Sequence, residues 1–537
     1  MKQKFLFYLL LALGLCSFSR GTAQNAVWQW KTEVRNFAGQ PKHAFSEAFL
    51  WIPEKARKVK GIIIAQHNME EISILEDTQF REEMAALGFA EIWCAPMFDH
   101  TFDFTDGALE TLEGILADLA DSSGYQELKC VPLIAIGHSA AASWPYYLGA
   151  VLPGRTLACV SVSGQWPYFR DKSFARDIWG DRNIDCIPCL ETMGEYESAH
   201  TWSLEGLKER KEHPALPLSM LACPAEGHFA YTPGKAAYIA LFIRKAVKYG
   251  HVDPRKQGWL AEKWNKDTKP GCAPAPVKEY TGNPDQAFWF FDREMAEATA
   301  GYQSRYRGMK AQLVGVEQNG EVVRQRNTHL QVHPRFLPEE DGITFRLTPV
   351  FLDTVPGESP RCQGWTGLPV GAPVGHAGQG MPVTVRKICG PFTVTAEGHF
   401  KVQWDRATSF TADRHDLTFV IEHPGDGEYK PAAQQAQVTI PGRNGKGQEQ
   451  RITFAGLPDI QKGTSEVKLL ATADSGLPVG FFVKSGPAVM EGNILKITGI
   501  PPRAKFPVAV TVVAWQYGNA QFKTAEPVVR TFYVTDK

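Results

Sequence analysis

The stretch Leu133-Ile134-Ala135-Ile136-Gly137-His138-Ser139-Ala140-Ala141 decides the reading of this chain. Its short apolar run reads as a buried strand. The run passes straight into a G-x-S-x-A turn and then into an apolar segment with Trp144, Tyr147 and Leu148 that reads as a helix. Small residues around the serine are what a sharp strand-to-helix turn demands, because the serine backbone is strained there and neighbouring side chains have no room. Ala141 fills the place of the last glycine. Such a turn lifts the Ser139 hydroxyl to the carboxyl end of a sheet, beside amides suited to developing negative charge.

Outward from this turn, between about residues 43 and 250, short apolar runs alternate with amphipathic segments. The runs are Ala48 to Ile52, Gly61 to Gln66, Ala90 to Cys94, Leu157 to Val162, Cys189 to Met193 and Met220 to Cys223. Continuous rather than alternating apolar runs predict strands buried on both faces, hence a mostly parallel sheet with helices on either side. Leu109, Leu112, Leu116 and Leu119 have helical spacing, with Gly124 as a stop; Ile72, Leu75, Met84 and Leu87 do the same before Gly88. Thr232 and Pro233 open a last helix that runs to Gly250.

A serine hydroxyl is a weak nucleophile and needs a base held by a third group. His228 follows the strand Met220 to Cys223 in the loop Pro224-Ala225-Glu226-Gly227-His228-Phe229 and is the candidate base. His138 adjoins the serine, points elsewhere and packs beside the site. The strand Cys189 to Met193 ends in Gly194-Glu195-Tyr196-Glu197, which offers a carboxylate between the serine and the histidine in chain order. Glu197 and Glu195 are rivals there, with Asp185 behind them. The oxyanion would be met by the amide of Ala140 and by one from the loop His67-Asn68-Met69, at Asn68 or His67.

Together these motifs resemble the α/β-hydrolase superfamily over about residues 43–250. Within it they resemble secreted bacterial carbohydrate esterases that remove acetyl, methyl or feruloyl groups from plant glycans. The resemblance implies a mostly parallel sheet with helices on both faces, followed by C-terminal all-β sandwich domains. It also implies a serine carboxylic ester hydrolase that works through an acyl-enzyme and needs no metal or organic cofactor. Many members carry the acid three residues after the strand-end glycine, which selects Glu197. The loop at His67 departs from the HGGG pattern of lipases, which leaves the second oxyanion donor open. Pocket candidates are Phe98 and His100 after one strand and Gln165, Trp166 and Arg170 after another. Aromatic faces suit sugar rings, and Arg170 suits a uronate carboxylate. The rival readings are a serine peptidase of the same fold and a non-catalytic glycan-binding protein.

Met1, Lys2, Gln3 and Lys4 precede the apolar run Phe5 to Cys16 and the small residues Gly21, Thr22 and Ala23, a pattern expected of a secretory signal peptide over 1–23. The run is too short to span a bilayer. A periplasmic or extracellular product follows, with lipidation at Cys16 disfavoured by Leu15. Of the 10 cysteines in the 537 residues, removal of Cys16 leaves an odd number, so at least one thiol stays unpaired. Cys186 and Cys189 form a C-x-x-C without a second pair at zinc spacing, so a structural role is expected. Cys362 and Cys389 share a β-rich region, and a bridge between them is left open by the sequence. Lys plus Arg number 57 against 58 Asp plus Glu, a net charge of -1; with no basic field, nucleic acid is not an expected partner. The expected partner is a polysaccharide or oligosaccharide ester.

After the leader, residues 24–265 read as the catalytic domain, and 266–300 as a linker and arm that packs back on it. A β-rich domain follows over 301–446, where Asn319-Gly320 marks a hairpin turn. The stretch 447–537 is similar to bacterial Ig-like modules on the strength of Ile452-Thr453-Phe454, Ser475-Gly476-Leu477-Pro478 and Gln516, Gly518, Asn519. Gly375, Gly378 and Gly380 lack a strand before and a helix after, which excludes a dinucleotide loop.

Overall fold

The computed structural model describes residues 26–35, 46–169, 178–326, 331–357, 360–378 and 380–536. The leader expected over 1–23, Cys16 and Arg170 lie outside the described residues.

Eight strands build the main sheet: β1 (Trp30–Glu33), β2 (Glu47–Trp51), β3 (Gly61–Gln66), β4 (Phe89–Ala95), β5 (Leu133–His138), β6 (Thr156–Val162), β7 (Cys189–Gly194) and β8 (Leu218–Cys223). Their spatial order is β1-β2-β4-β3-β5-β6-β7-β8. Strands β3 to β8 pair in parallel, and β1 and β2 are antiparallel at one edge. That order is the α/β-hydrolase fold. Every residue of β3, β4, β5, β7 and β8 is buried, which accounts for their largely apolar runs, interrupted by the buried Glu91 of β4 and Glu191 and Thr192 of β7. The chain passes from β3 to β4 in one direction and then returns to β5 on the other side of β3. The carboxyl ends of β3 and β5 therefore flank a switch point, where such sheets bind ligands.

Helices α1 (Glu71–Leu75), α2 (Thr78–Leu87), α3 (Ala108–Ser123), α4 (Trp144–Val151), α5 (Ala199–Glu212) and α6 (Pro233–Tyr249) join the strands. The spacing from Ile72 to Leu87 predicts one helix, and the structure has two. Asp77 separates them, because its extended backbone and its carboxylate, which accepts the Phe80 amide at 2.8 Å, start a new helix there. Thr232 caps α6 by accepting from the Lys235 amide.

The chain then forms β9 (Trp259–Glu262), β10 (Ala275–Pro276), β11 (Ala287–Phe290) and α7 (Arg293–Gln303). The Ser219 hydroxyl of β8 donates to the Trp289 carbonyl of β11 at 2.6 Å, and Phe288 and Trp289 are buried. Beyond them, strands fall into small, mostly antiparallel sheets of the β-sandwich kind, with one short helix over Pro360–Thr366. The Asn319-Gly320 turn has both residues at positive φ, 58° and 80°, as a two-residue hairpin requires.

The nine described cysteines are all free thiols. Bridging of Cys362 to Cys389 is thereby corrected: Cys362 packs with Leu313, Val355 and Val374, and Cys389 with Ile388 and Val420, in separate apolar clusters. Cys189 is buried opposite Cys159 in the β6–β7 register, the surroundings of a small hydrophobe.

Candidate active site

Strand β5 ends on a tight elbow. Ser139 has φ of 53°, a conformation that costs energy for any residue with a side chain. A Cβ on Gly137 would sit 1.9 Å from the Ala141 carbonyl oxygen, so only glycine fits before the serine. Ser139 is half-buried and Ala140 is exposed at the turn.

Ser139 Oγ lies 2.7 Å from His228 Nε2. On the other side of the ring, His228 Nδ1 lies 2.6 Å from Glu197 Oε1. A carboxylate only accepts, so Nδ1 carries the proton and Nε2 is left to accept from the serine hydroxyl. The imidazole is 3% exposed. Three loops at the carboxyl edge of the sheet, after β5, β7 and β8, thus meet at one hydroxyl.

The loops after β7 and β8 are zipped together. Glu195 N donates to Cys223 O and Tyr196 N to Glu226 O, each at 2.9 Å. A Cβ on Gly194 would lie 2.4 Å from Glu226 O, so glycine lets the two backbones close. Glu195 faces away from His228: its carboxylate accepts the Ala225 amide and pairs with Lys430. Glu197, not Glu195, therefore reaches the imidazole. Asp185 is exposed in the loop before β7.

His138 holds the base from the far side. His138 Nε2 donates to the His228 carbonyl at 2.9 Å, and Asn68 Nδ2 donates to the His138 carbonyl at 3.0 Å. Beneath the loop, buried Lys235 lies 3.0 Å from Glu226 and 3.6 Å from Glu70. Burial pulls the Lys235 ammonium down, but Glu70 and Glu226 outweigh it and hold it protonated. Tyr302 of α7 donates to Glu226 at 2.5 Å.

The second oxyanion amide expected from His67 or Asn68 is corrected. His67 N donates to Cys94 O at 2.7 Å, extending the β3–β4 pairing. Asn68 N donates to Glu71 Oε2 at 3.0 Å, and Met69 N shares that oxygen at 2.8 Å. The other oxygen of the buried Glu71 accepts the His138 amide at 2.8 Å. One carboxylate thus staples the loop after β3 to the elbow. Burial raises its pKa to about 7 against the pull of the donating amides. Glu71 was missed as a site residue, yet Asn68 followed by Glu71 three positions later is capping-box spacing, in which the glutamate takes the amide of the first residue.

Two pocket candidates are also corrected. Trp166 is fully buried, stacked on Phe288 at 5.8 Å and donating Nε1 to Trp202 O at 2.9 Å. Phe98 is fully buried against Phe102, with its amide held by Gln66 Oε1. Neither offers a face to a ligand. Gln165 is half-buried, and its carbonyl accepts from Ser161 Oγ; His100 is exposed. Among the described residues no group of His, Cys, Asp or Glu has metal-site geometry, and no helix is long and apolar enough to cross a membrane.

No family model matches the chain, and no curated protein matches it. Among solved structures it is similar to a dienelactone hydrolase from Anabaena variabilis, at 15% identity and a TM-score of 0.28 over 43% of this chain and 100% of that one. It is also similar to Est1E from Butyrivibrio proteoclasticus, at 14% identity and a TM-score of 0.28 over 41% of this chain and 99% of that one. An S-formylglutathione hydrolase from Agrobacterium tumefaciens matches at 13% identity and a TM-score of 0.29, over 41% of this chain and 92% of that one.

Proposed function

We propose that this protein is an exported serine hydrolase that cleaves ester substituents, of the acetyl, methyl or feruloyl kind, from a polysaccharide. The observation that carries the hydrolase reading is the continuous line from Ser139 Oγ through the His228 ring to Glu197, at 2.7 and 2.6 Å. Ester rather than amide cleavage, the polysaccharide and export are inferred from the leader pattern and from the β-rich strands that follow the hydrolase fold. We read the last of those strands as an Ig-like module.

In this mechanism Ser139 Oγ attacks the ester carbonyl carbon while His228 Nε2 takes its proton. Glu197 holds Nδ1–H and stabilises the imidazolium. The negative charge on the former carbonyl oxygen faces the Ala140 amide. Collapse breaks the carbon–oxygen bond to the alcohol, which leaves with the proton from Nε2. Water then gives a proton to Nε2 and attacks the acyl-serine; the acid departs and the proton returns to Ser139.

Replacement Ser139→Ala removes the attacking atom from an elbow that already tolerates alanine on its other side. Turnover of a chromogenic acetate is expected to fall by at least about a thousandfold, with the circular dichroism spectrum unchanged. Undiminished turnover would remove Ser139 from the chemistry. Assays of released acid and methanol on acetylated, methyl-esterified and feruloylated polysaccharides would identify the ester.

A further inference from the structure

The pairing of β3 with β5 ends at Ala65 opposite Ile136. Beyond that point the chain enters the strained turn: His138 is extended, with φ of -114° and ψ of 137°, and Ser139 follows at φ of 53°. A left-handed serine persists only where its surroundings over-determine it. Here the backbone groups of His138 are met by side chains. Its amide donates to Glu71 Oε1 at 2.8 Å, and its carbonyl accepts from Asn68 Nδ2 at 3.0 Å. The peptide planes on both sides of His138, the residue before the nucleophile, are therefore tied to the loop after β3 and the start of α1.

The same residues are locked to each other. Glu71 Oε2 accepts the Asn68 amide at 3.0 Å and the Met69 amide at 2.8 Å. Glu71 is fully buried, and the groups that favour its charge are backbone amides. Three N–H donors arriving at two oxygens demand an acceptor at both ends of the side chain. A carboxylate supplies that, whereas a carboxamide has one accepting and one donating end. Bonds to an ionised acceptor are also the stronger kind. His138 carries the restraint onward, since its Nε2 donates to the His228 carbonyl at 2.9 Å.

We propose that Glu71, with Asn68, is a positioning residue for the nucleophile: by accepting the His138 amide and the loop amides at once, its carboxylate sets the direction in which the Ser139 hydroxyl and the Ala140 amide leave the strand. This rests on the hydrolase reading of Ser139 and adds to it residues that act through His138.

Glu71→Gln keeps the shape and loses one accepting end. The full-length protein is compared with its variants in buffer well above the value of about 7 to which burial raises Glu71. One readout is hydrolysis of a chromogenic acetate. The other is the rate at which a fluorophosphonate probe adds to Ser139, followed by mass spectrometry. In that step Ser139 Oγ bonds to phosphorus, fluoride leaves and the serine proton passes to His228, so the hydroxyl is read without any ester. For Glu71→Gln, kcat and the labelling rate are each expected to fall about a hundredfold, the cost of misplacing a reacting group, with KM within about threefold. Glu71→Asp keeps the charge on a shorter side chain and is expected to recover part of that loss. Asn68→Ala leaves the buried carboxylate in place, is expected to cost about tenfold in both rates, and carries the test if Glu71→Gln does not fold. Parent-like rates in either variant that folds would overturn the proposal, even with a lowered thermal midpoint, and so would a loss confined to KM. A parent that takes neither the acetate nor the phosphonate fails the hydrolase reading itself; a reactive parent matched by its variants fails only the role given to Glu71 and Asn68.

Discussion

His228 is held on three sides, and each contact answers a different requirement of the proposed chemistry. Ser139 meets its Nε2, Glu197 its Nδ1, and His138 Nε2 donates to its backbone carbonyl. The last contact turns the residue next to the serine into a positioning residue. The choice between two glutamates at this site follows from the same geometry. Glu197→Ala is expected to lower turnover by roughly 10³- to 10⁴-fold, as loss of the group that sets the imidazole tautomer does elsewhere. Glu195→Ala leaves that hydrogen bond in place and is expected to keep activity within about tenfold, its main effect being on stability through Lys430. Equal losses in kcat would contradict the assignment. Ser139, His228 and the Glu197–Glu195 pair were legible from strand-end motifs in chain order. The resemblance selects Glu197 of the two; what the sequence does not show is that Lys430, 235 residues away from Glu195, engages the rival carboxylate.

Elements carry the second level of constraint. The loop between β3 and α1 is short, and three of its amides are already committed, to Cys94 O and to Glu71. His67 sits in this loop edge-on to Trp93 at 5.1 Å between ring centroids. Burial depresses its imidazole from 6.5 to about 4, with Asp405 pulling weakly the other way. Between those values the unfolded chain binds a proton that the folded chain refuses, so this contribution to stability is whole above pH 6.5 and is lost as the pH falls toward 4. The loss is on the order of 3 kcal/mol. His67→Phe keeps a ring against Trp93 and cannot titrate. Its thermal midpoint is expected to vary less than that of the parent between pH 4 and 6.5; parallel curves would show that His67 is charged in the fold. Most central strands of this half could be read from the sequence, since burial makes them largely apolar, with Glu91 and Glu191 as buried exceptions, whereas the edge strand β1 and the break between α1 and α2 could not. The fates of Trp166 and Phe98 could not, because the ring on which Trp166 stacks, Phe288, arrives from β11 after the sheet is complete.

Across the whole molecule, the β-rich half is packed against the hydrolase fold rather than strung behind it. The strand Val508–Trp515 shows how. Val508, Val510, Val512 and Ala514 join the core of the main sheet, whereas Val513 and Trp515 join the core of the preceding β-rich region. Period-two alternation thus lets one strand seal two cores. Trp515 stacks on Trp404 at 5.3 Å. Other contacts reach the loops of the candidate site: Tyr196 Oη donates to Pro431 O, Arg386 to Tyr231 O, and Ser73 Oγ to Ile388 O. Lys430 and Glu195 form a buried pair, 9% and 6% exposed. Removing one member leaves the other charge buried and uncompensated. Lys430→Met is therefore expected to cost about 3 kcal/mol in urea unfolding and to lower kcat several-fold with KM little changed. An unaltered urea midpoint would show that Glu195 finds another partner or water. Local pattern in the chain sufficed for the elbow, the strand order class and the residues at strand ends, because each of those is written in neighbouring positions. Which amides remained available, which aromatic rings were covered, and how the halves closed on each other depended on atoms brought together from distant segments. Burial and hydrogen-bond pairing settle such questions, and neither exists until the chain has folded.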